Sequence, residues 1–278
     1  MSNKEVRFKE KKAQRENCFF FDVDGVLTDK RKVNPEVLAE IARLLENSPV
    51  GFITGRSVVW LSEKVLPQLE NLVPQPNFLN NLVVVAEKGA VLLEYQDGKR
   101  RITTDRRVKI PRIITQKARE IVQWKEFSPY LFFDETKQTM VSIEMYEDGD
   151  FEEQKQALGK LTSLLQKMVV DQKLDNRLEV LESTIAADIQ SKTVGKGPAT
   201  KRAWRLLKKR GIVCREVFAF GDSKEDLEIG EELAQIGVPF NFVFVGSKRL
   251  EKVGFTVTRT VELHDRGVLG FIRGLHLK

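Results

Sequence analysis

Acidic side chains recur in this chain where a short apolar run stops. Asp22 and Asp24 close the run CFFFDV in FDVDGVLTD. Two carboxylates two residues apart, with Gly25 next to bring the backbone close, can present an oxygen cluster to a hard cation such as Mg²⁺. GDSKED, from Gly221 to Asp226, comes after another apolar run and holds Asp222 and Asp226 four apart. As a purely structural device, Asp222 could cap the next helix and Asp226 sit in its first turn, a role compatible with chemistry. Four acids converging at one edge repel unless a divalent cation neutralises them, so the charge itself implies a metal.

Two further positions suit a phosphoryl group. Thr54 ends an apolar run in FITGRS, where Gly55 frees the backbone and a helix comes next, so a hydroxyl and amides can meet phosphoryl oxygens. Lys196, between two glycines in VGKGPA and directly before a helical segment, can bring a cation to the same oxygens.

These residues act together only if the elements carrying them share one edge. Cys18 to Val23, Val50 to Thr54, Leu82 to Ala86, Glu216 to Phe220 and Asn241 to Val245 are short continuous apolar runs, the pattern of strands buried on both faces of a parallel sheet. Helical spacing falls between them: Asn34 to Asn47, with Asn34 as N-cap and Pro35 at the first position, then Ser57 to Leu69, Gly197 to Arg210 and Lys224 to Gln235. The expected fold class is therefore α/β with a doubly wound parallel sheet, whose ligands sit at the carboxyl ends of the strands. Between these parts the grammar changes. Ala90 to Ile102 is a hairpin around Asp97-Gly98, and the stretch from Pro111 to Ile189 reads α-β-β-α-β-β, an inserted α+β unit. The expected organisation is a charged leader at 1–17, a core of 18–104 with 191–278, and an inserted cap at 105–190.

The chain has 278 residues, 31% charged and 41% hydrophobic, with a formal net charge of +6. That composition fills a real core, and no apolar run approaches the roughly 20 residues needed to span a bilayer. The leader alternates Lys, Arg and Glu without the apolar stretch of a secretory signal, so a cytoplasmic protein is expected. It also carries half of the positive excess. Basic clusters elsewhere, such as Lys208, Lys209 and Arg210, are not interleaved with aromatics, so neither nucleic acid nor membrane is expected as a partner. The oligomeric state is not legible. Cys18 and Cys214 are expected as buried free thiols about four residues out of level, and His264 and His276 lie far in sequence from any nucleophile, which leaves no His-dependent triad.

Taken in order, the aspartate pair Asp22 and Asp24, Thr54, Lys196, and Asp222 with Asp226 resemble the four motifs of the haloacid dehalogenase superfamily. The short interval from Asp22 to Thr54 has no room for a lid and the long one from Thr54 to Lys196 does. The α-β-β-α-β-β insertion looks like the IIB cap of trehalose-6-phosphate, sucrose-phosphate, mannosyl-3-phosphoglycerate and Cof-type phosphatases and of eukaryotic-type phosphomannomutases. AEKGA at Ala86 to Ala90 resembles the element that precedes that cap.

The resemblance implies a Mg²⁺-dependent phosphomonoesterase acting on a small phosphorylated substrate. Asp22 would be the nucleophile and Asp24 the general acid and base. Mg²⁺ would be held by Asp22, the Asp24 carbonyl and Asp222, with Asp226 in support, and Thr54, Gly55 and Lys196 would hold the phosphoryl oxygens. The tail VELHDRGVLGFIRGL and FITGRS are similar to trehalose-6-phosphate phosphatases, whereas GDSKED is nearer the GDSxxD of the sucrose-phosphate and Cof-type enzymes. A sugar phosphate is thus expected, trehalose 6-phosphate being one candidate. Arg56, Glu87, Lys88 and Glu182 are candidates for sugar contacts. Phosphomannomutase-like transfer with the same aspartates, and a non-catalytic module binding phosphorylated ligands or nucleic acid, stand as alternatives.

Overall fold

The computed structural model describes residues 15–29, 32–250 and 252–275. Residues 1–14 of the leader and His276 lie outside the described residues. In chain order the strands and helices are β1 (Arg15–Phe21), β2 (Thr28–Asp29), β3 (Lys32–Val33), α1 (Pro35–Leu45), β4 (Val50–Ile53), α2 (Val58–Lys64), α3 (Leu66–Leu72), β5 (Leu82–Ala86), β6 (Val91–Gln96) and β7 (Lys99–Thr104). Next come α4 (Arg112–Val122), β8 (Leu131–Phe133), β9 (Val141–Met145), α5 (Phe151–Asp171), β10 (Leu178–Glu182) and β11 (Ala186–Ser191). The chain closes with α6 (Lys196–Lys209), β12 (Val213–Gly221), α7 (Leu227–Ile236), β13 (Phe240–Phe244), β14 (Val257–Arg259) and α8 (His264–Gly274).

The expected α/β class is borne out. An eight-stranded sheet runs β14-β13-β12-β1-β4-β5-β6-β7, parallel from β14 to β5 and antiparallel for the last two strands. Its central strands bury both faces, as their unbroken apolar runs require. One face packs against α1, α2, α3 and α8, the other against α6 and α7. The chain leaves β1 for β4 and β5 on one side and later returns through β12 on the other, so the carboxyl end of β1 lies at the reversal of strand order where such sheets open a crevice. Asp97 and Gly98, both at positive φ, make the hairpin turn between β6 and β7.

The insertion is α4-β8-β9-α5-β10-β11, the expected order, with its own four-stranded antiparallel sheet β10-β11-β9-β8 and its own apolar cluster against α4 and α5. Its alternation is decisive for the site. Val141, Ile143 and Met145 turn to the helices, while Ser142 and Glu144 on β9, with Asp188 on β11, take the opposite face. The helical stretch expected from Ser57 to Leu69 is two helices, broken at Val65 ahead of Pro67, and the C-terminal β14 extends the sheet beyond the strand expected at Asn241 to Val245. Among the described residues no helix is long and apolar enough to cross a membrane.

The structure corrects the expectation of free thiols: Cys18 and Cys214 form a disulfide across 196 residues of chain, with a Cα–Cα distance of 5.9 Å. The offset between them is smaller than strand counting suggests for two reasons. Asp22 pairs beyond Phe220 rather than level with Asp222, and a bulge after Glu16 takes up one residue of β12, so Cys214 sits opposite Glu16, two residues from Cys18 on the adjoining strand.

Candidate active site

Asp22, Thr54, Glu87 and Asp222 each stand directly after the carboxyl end of a parallel strand, β1, β4, β5 and β12 respectively, and Lys196 opens α6 beside them. The structure thus brings together the aspartates, Thr54, Gly55 and Lys196. Lys196 is buried, with Nζ ion-paired to Asp22 Oδ1, 2.9 Å from Asp226 Oδ1 and donating to the Ile53 carbonyl at 2.9 Å. Burial works against its charge, but Asp22 and Asp226 outweigh burial and hold the ammonium above the usual lysine range. The Thr54 hydroxyl accepts from the Arg56 N–H at 3.0 Å, which leaves its own proton to donate.

Asp226, rather than starting the helix as a first-turn acid, folds its Oδ2 back over the preceding loop and accepts from Asp222 N, Ser223 N and Ser223 Oγ. It therefore fixes the Asp222 loop from below. Gly25, at φ +70°, passes so close to Asp222 that a Cβ would occupy the place of its carboxylate, which is the physical need for glycine after the aspartate pair.

Asp22, Asp222 and Asp226 each offer an oxygen within 4.8 Å of the others. Burial, then the charge of Asp226, raises Asp22 well above the ordinary carboxylate range, and the same two causes push Asp222 up to about 6. Asp226 Oδ1 is buried beside the Lys196 ammonium without a hydrogen bond of its own. Three oxygens at this spacing, two of them on carboxyls that resist ionisation while unneutralised, fit a hard divalent cation. The Asp24 carboxylate does not join them. It turns away to Arg56, whose Nε and Nη2 lie 2.8 Å from its two oxygens.

The cap lies directly over this edge. Arg56 Nη1 is 3.6 Å from Glu144, Lys88 Nζ is 3.7 Å from Asp188 and 2.8 Å from Glu225 of the core, Ser57 Oγ is 2.6 Å from Thr136 Oγ1, and Lys137 Nζ donates to the Gly55 carbonyl at 2.6 Å. Burial disfavours the Lys88 charge, yet Asp188 and Glu225 raise its pKa overall.

Two of the expected sugar contacts need correction. Glu87, buried and at φ +47°, spends both oxygens on the cap, accepting from Gln138 N, Thr139 N and Thr139 Oγ1, so it anchors the cap and does not face a ligand. Glu182 registers opposite Ala187, on the helix face of the cap sheet, and pairs with Lys155 of α5 at 2.7 Å. Alternation puts it on the far side from Asp188. Arg56 lies at the site, but its fork holds Asp24.

Sequence reasoning missed Glu144, Asp188 and His264. His264 Nδ1 is 3.6 Å from Asp222 Oδ2 and 3.3 Å from the Gly25 carbonyl, brought there because α8 packs beside α1 and β2, with Phe271 against Phe218 and Phe220 of β12. Its distance along the chain concealed it. For Glu144, the polar residue inside the apolar run VSIEM was the available signal.

No protein-family model matches the chain, and no curated protein matches it in sequence. Solved structures match it in fold. A trehalose-6-phosphate phosphatase from Aspergillus fumigatus is 19% identical, with 93% of this chain and 92% of that one covered at a TM-score of 0.53. The sucrose-phosphatase of Synechocystis, solved with sucrose and phosphate, is 15% identical over 94% and 98% at a TM-score of 0.58. An N-terminally truncated IMP-nucleotidase from Plasmodium falciparum is 14% identical over 95% and 71% at a TM-score of 0.60. The chain therefore has the haloacid dehalogenase fold, a Rossmann-like core with an inserted cap, in common with phosphatases of sugar phosphates and of a nucleotide.

Proposed function

We propose that the protein is a Mg²⁺-dependent phosphomonoesterase acting on a small phosphorylated substrate, with a sugar phosphate as the preferred class and trehalose 6-phosphate a candidate. The observation that carries the reading is the meeting of Asp22, Asp24, Thr54, Lys196, Asp222 and Asp226 at one end of adjoining parallel strands. Asp22, Asp222 and Asp226 would hold the cation, which when bound neutralises charge on the phosphoryl oxygens.

Asp22 attacks phosphorus and the bond to the leaving oxygen breaks, giving an aspartyl-phosphate. Asp24 donates a proton to the departing alcohol. In the second half Asp24 takes a proton from water as the water oxygen attacks phosphorus, and Asp22 is released with inorganic phosphate. Lys196, the Thr54 hydroxyl and the Gly55 amide hold the remaining phosphoryl oxygens, where charge stabilisation provides much of the acceleration. Ser142, Glu144 and Asp188 present donors and acceptors from the cap that suit a polyol.

The test is phosphate release from a panel of sugar phosphates and nucleotides, with Mg²⁺ and with EDTA, for the parent protein and Asp22→Asn. Release that depends on metal and disappears in Asp22→Asn is expected. Unchanged turnover in Asp22→Asn overturns the mechanism, and isomer formation without phosphate release points to a mutase.

A further inference from the structure

The cap joins the core through two connections, one between β7 and α4 and one between β11 and α6. Both line a cleft of about 930 Å³ on the flank of the molecule. Its walls carry Arg107 and Lys109 from the first connection, Arg177 and Lys192 beside the second, and Arg202 and Arg205 on α6. Asp105 is the acid of the lining, and Arg107 already pairs with it at 2.7 Å. No carboxylate among the described residues pairs with Lys109, Arg177, Lys192, Arg202 or Arg205.

Arg202 is held in place without being neutralised. Its Nη1 donates to the Gly89 carbonyl at 2.7 Å, while Nη2 reaches the Thr103 carbonyl at 3.4 Å. Both acceptors are uncharged, and the Asp105 carboxylate, which acts on Arg202 from nearby, is already paired with Arg107, so a half-buried guanidinium is aimed and its charge is only partly offset. Arg202 and Arg205, three apart on one face of α6 and about two turns or more beyond Lys196, line the cleft, whereas Asp22 does not. Guanidinium forks match phosphoryl oxygens in two-point contacts, and a cleft of this size with cations on every wall exceeds what one phosphate group can satisfy.

From this geometry we infer that the cleft is a second binding site, for a small anion carrying two or more phosphoryl groups, separate from the active site and set at the hinge of the cap. Such a ligand contacts both connections and α6 at once, so it ties the cap to the core. Lys88 lines the cleft and also pairs with Asp188 and Glu225 at the active-site edge, which gives the two sites a shared residue.

Titration calorimetry of the metal-free protein with inorganic tripolyphosphate reads this directly. Saturable binding is expected, weakened at least about tenfold in Arg177→Glu/Lys192→Glu, since each charge-assisted contact is worth roughly tenfold. Arg205→Glu, a single exposed change on another wall, should weaken it in the same direction, and Asp22→Asn should leave it within about threefold. Orthophosphate should bind at least about tenfold more weakly than tripolyphosphate. Melting curves confirm that each variant is folded. Absence of saturable binding, affinity untouched by both charge reversals, loss of binding in Asp22→Asn, or equal affinity for orthophosphate overturns the inference. Tighter, length-dependent binding of a single-stranded RNA oligomer would also overturn it, by making the cleft a nucleic-acid surface.

Discussion

Arg56 grips Asp24 with its guanidinium fork, and its third nitrogen lies 3.6 Å from Glu144 of the cap. Burial disfavours the Arg56 charge, but Asp24 and then Glu144 outweigh it and hold the guanidinium above its usual range. The fork engages both oxygens of Asp24 and directs them at Arg56, while the Asp24 side chain itself stays 45% exposed. Glu144 offers the guanidinium a second carboxylate without leaving the site, so the cap carries the residue that can draw Arg56 off Asp24.

Arg56→Lys should therefore lower kcat more than it raises KM, because an ammonium cannot bridge two carboxylates as a fork does. A loss of about 10- to 100-fold in kcat is expected, at or below the lower end of what an acid-base group itself contributes, because Asp24 is retained. Steady-state kinetics on the best sugar phosphate decide it. A kcat within about twofold of the parent would show that Asp24 needs no such partner.

Lys196 neutralises Asp22 and Asp226 deep in the fold. Lys196→Ala should cost turnover at least about 10³-fold and, without metal, destabilise the protein by about 3 kcal/mol or more, because two buried carboxylates lose their cation. Lys208→Ala, exposed on the same helix, should do neither. Urea unfolding in EDTA separates the stability effect from the catalytic one.

The Asp222 carboxyl, pushed from 3.8 up to about 6 by burial and then by Asp226, links metal binding to pH. Between about pH 4 and 6 the folded protein holds this proton more tightly than the unfolded chain, so the contribution of Asp222 to stability falls as pH rises through that window. Above pH 6 in EDTA, Asp222→Asn should thus melt higher than the parent. Mg²⁺ needs the carboxylate, so its affinity should rise from pH 5 to 7, with proton release at pH 6 that vanishes by pH 8. Calorimetry in two buffers of different ionisation enthalpy measures that release, and none at pH 6 would contradict the cation reading.

The Cys18–Cys214 bridge closes a very long loop from the middle of β1, four residues before Asp22. Replacing both cysteines with alanine should lower unfolding free energy by up to about 5 kcal/mol through loop entropy alone. Turnover should hold at temperatures where both proteins are folded. A melting temperature equal to the parent's, under non-reducing conditions, would show that the bridge does not form.

The parallel sheet and the order of elements in the insertion were legible because both rest on local signals. Continuous apolar runs such as CFFF, LVVVA and EVFAF specify strands buried on both faces, and the α-β-β-α-β-β order of the insertion comes from period and turn residues alone. Asp22, Thr54, Lys196 and Asp222 were legible for the same reason: each stands directly at the end of such a run or the start of a helix. The sequence by itself thus determined that these four residues stand at one edge of the parallel sheet.

Only the tertiary structure decided which way side chains point and what they meet across the chain. Glu87 and Lys88 are neighbours, yet backbone at positive φ sends one to clamp the cap and the other to bridge Asp188 and Glu225. Glu182 and Asp188 both lie on cap strands, and strand alternation puts one on α5 and the other over the core. Cys18 reaches Cys214 because a single bulged residue changes register, and His264 reaches Asp222 because α8 folds back against α1 and β12. Register, face and long-range approach depend on how all the elements pack at once, so no local pattern encodes them.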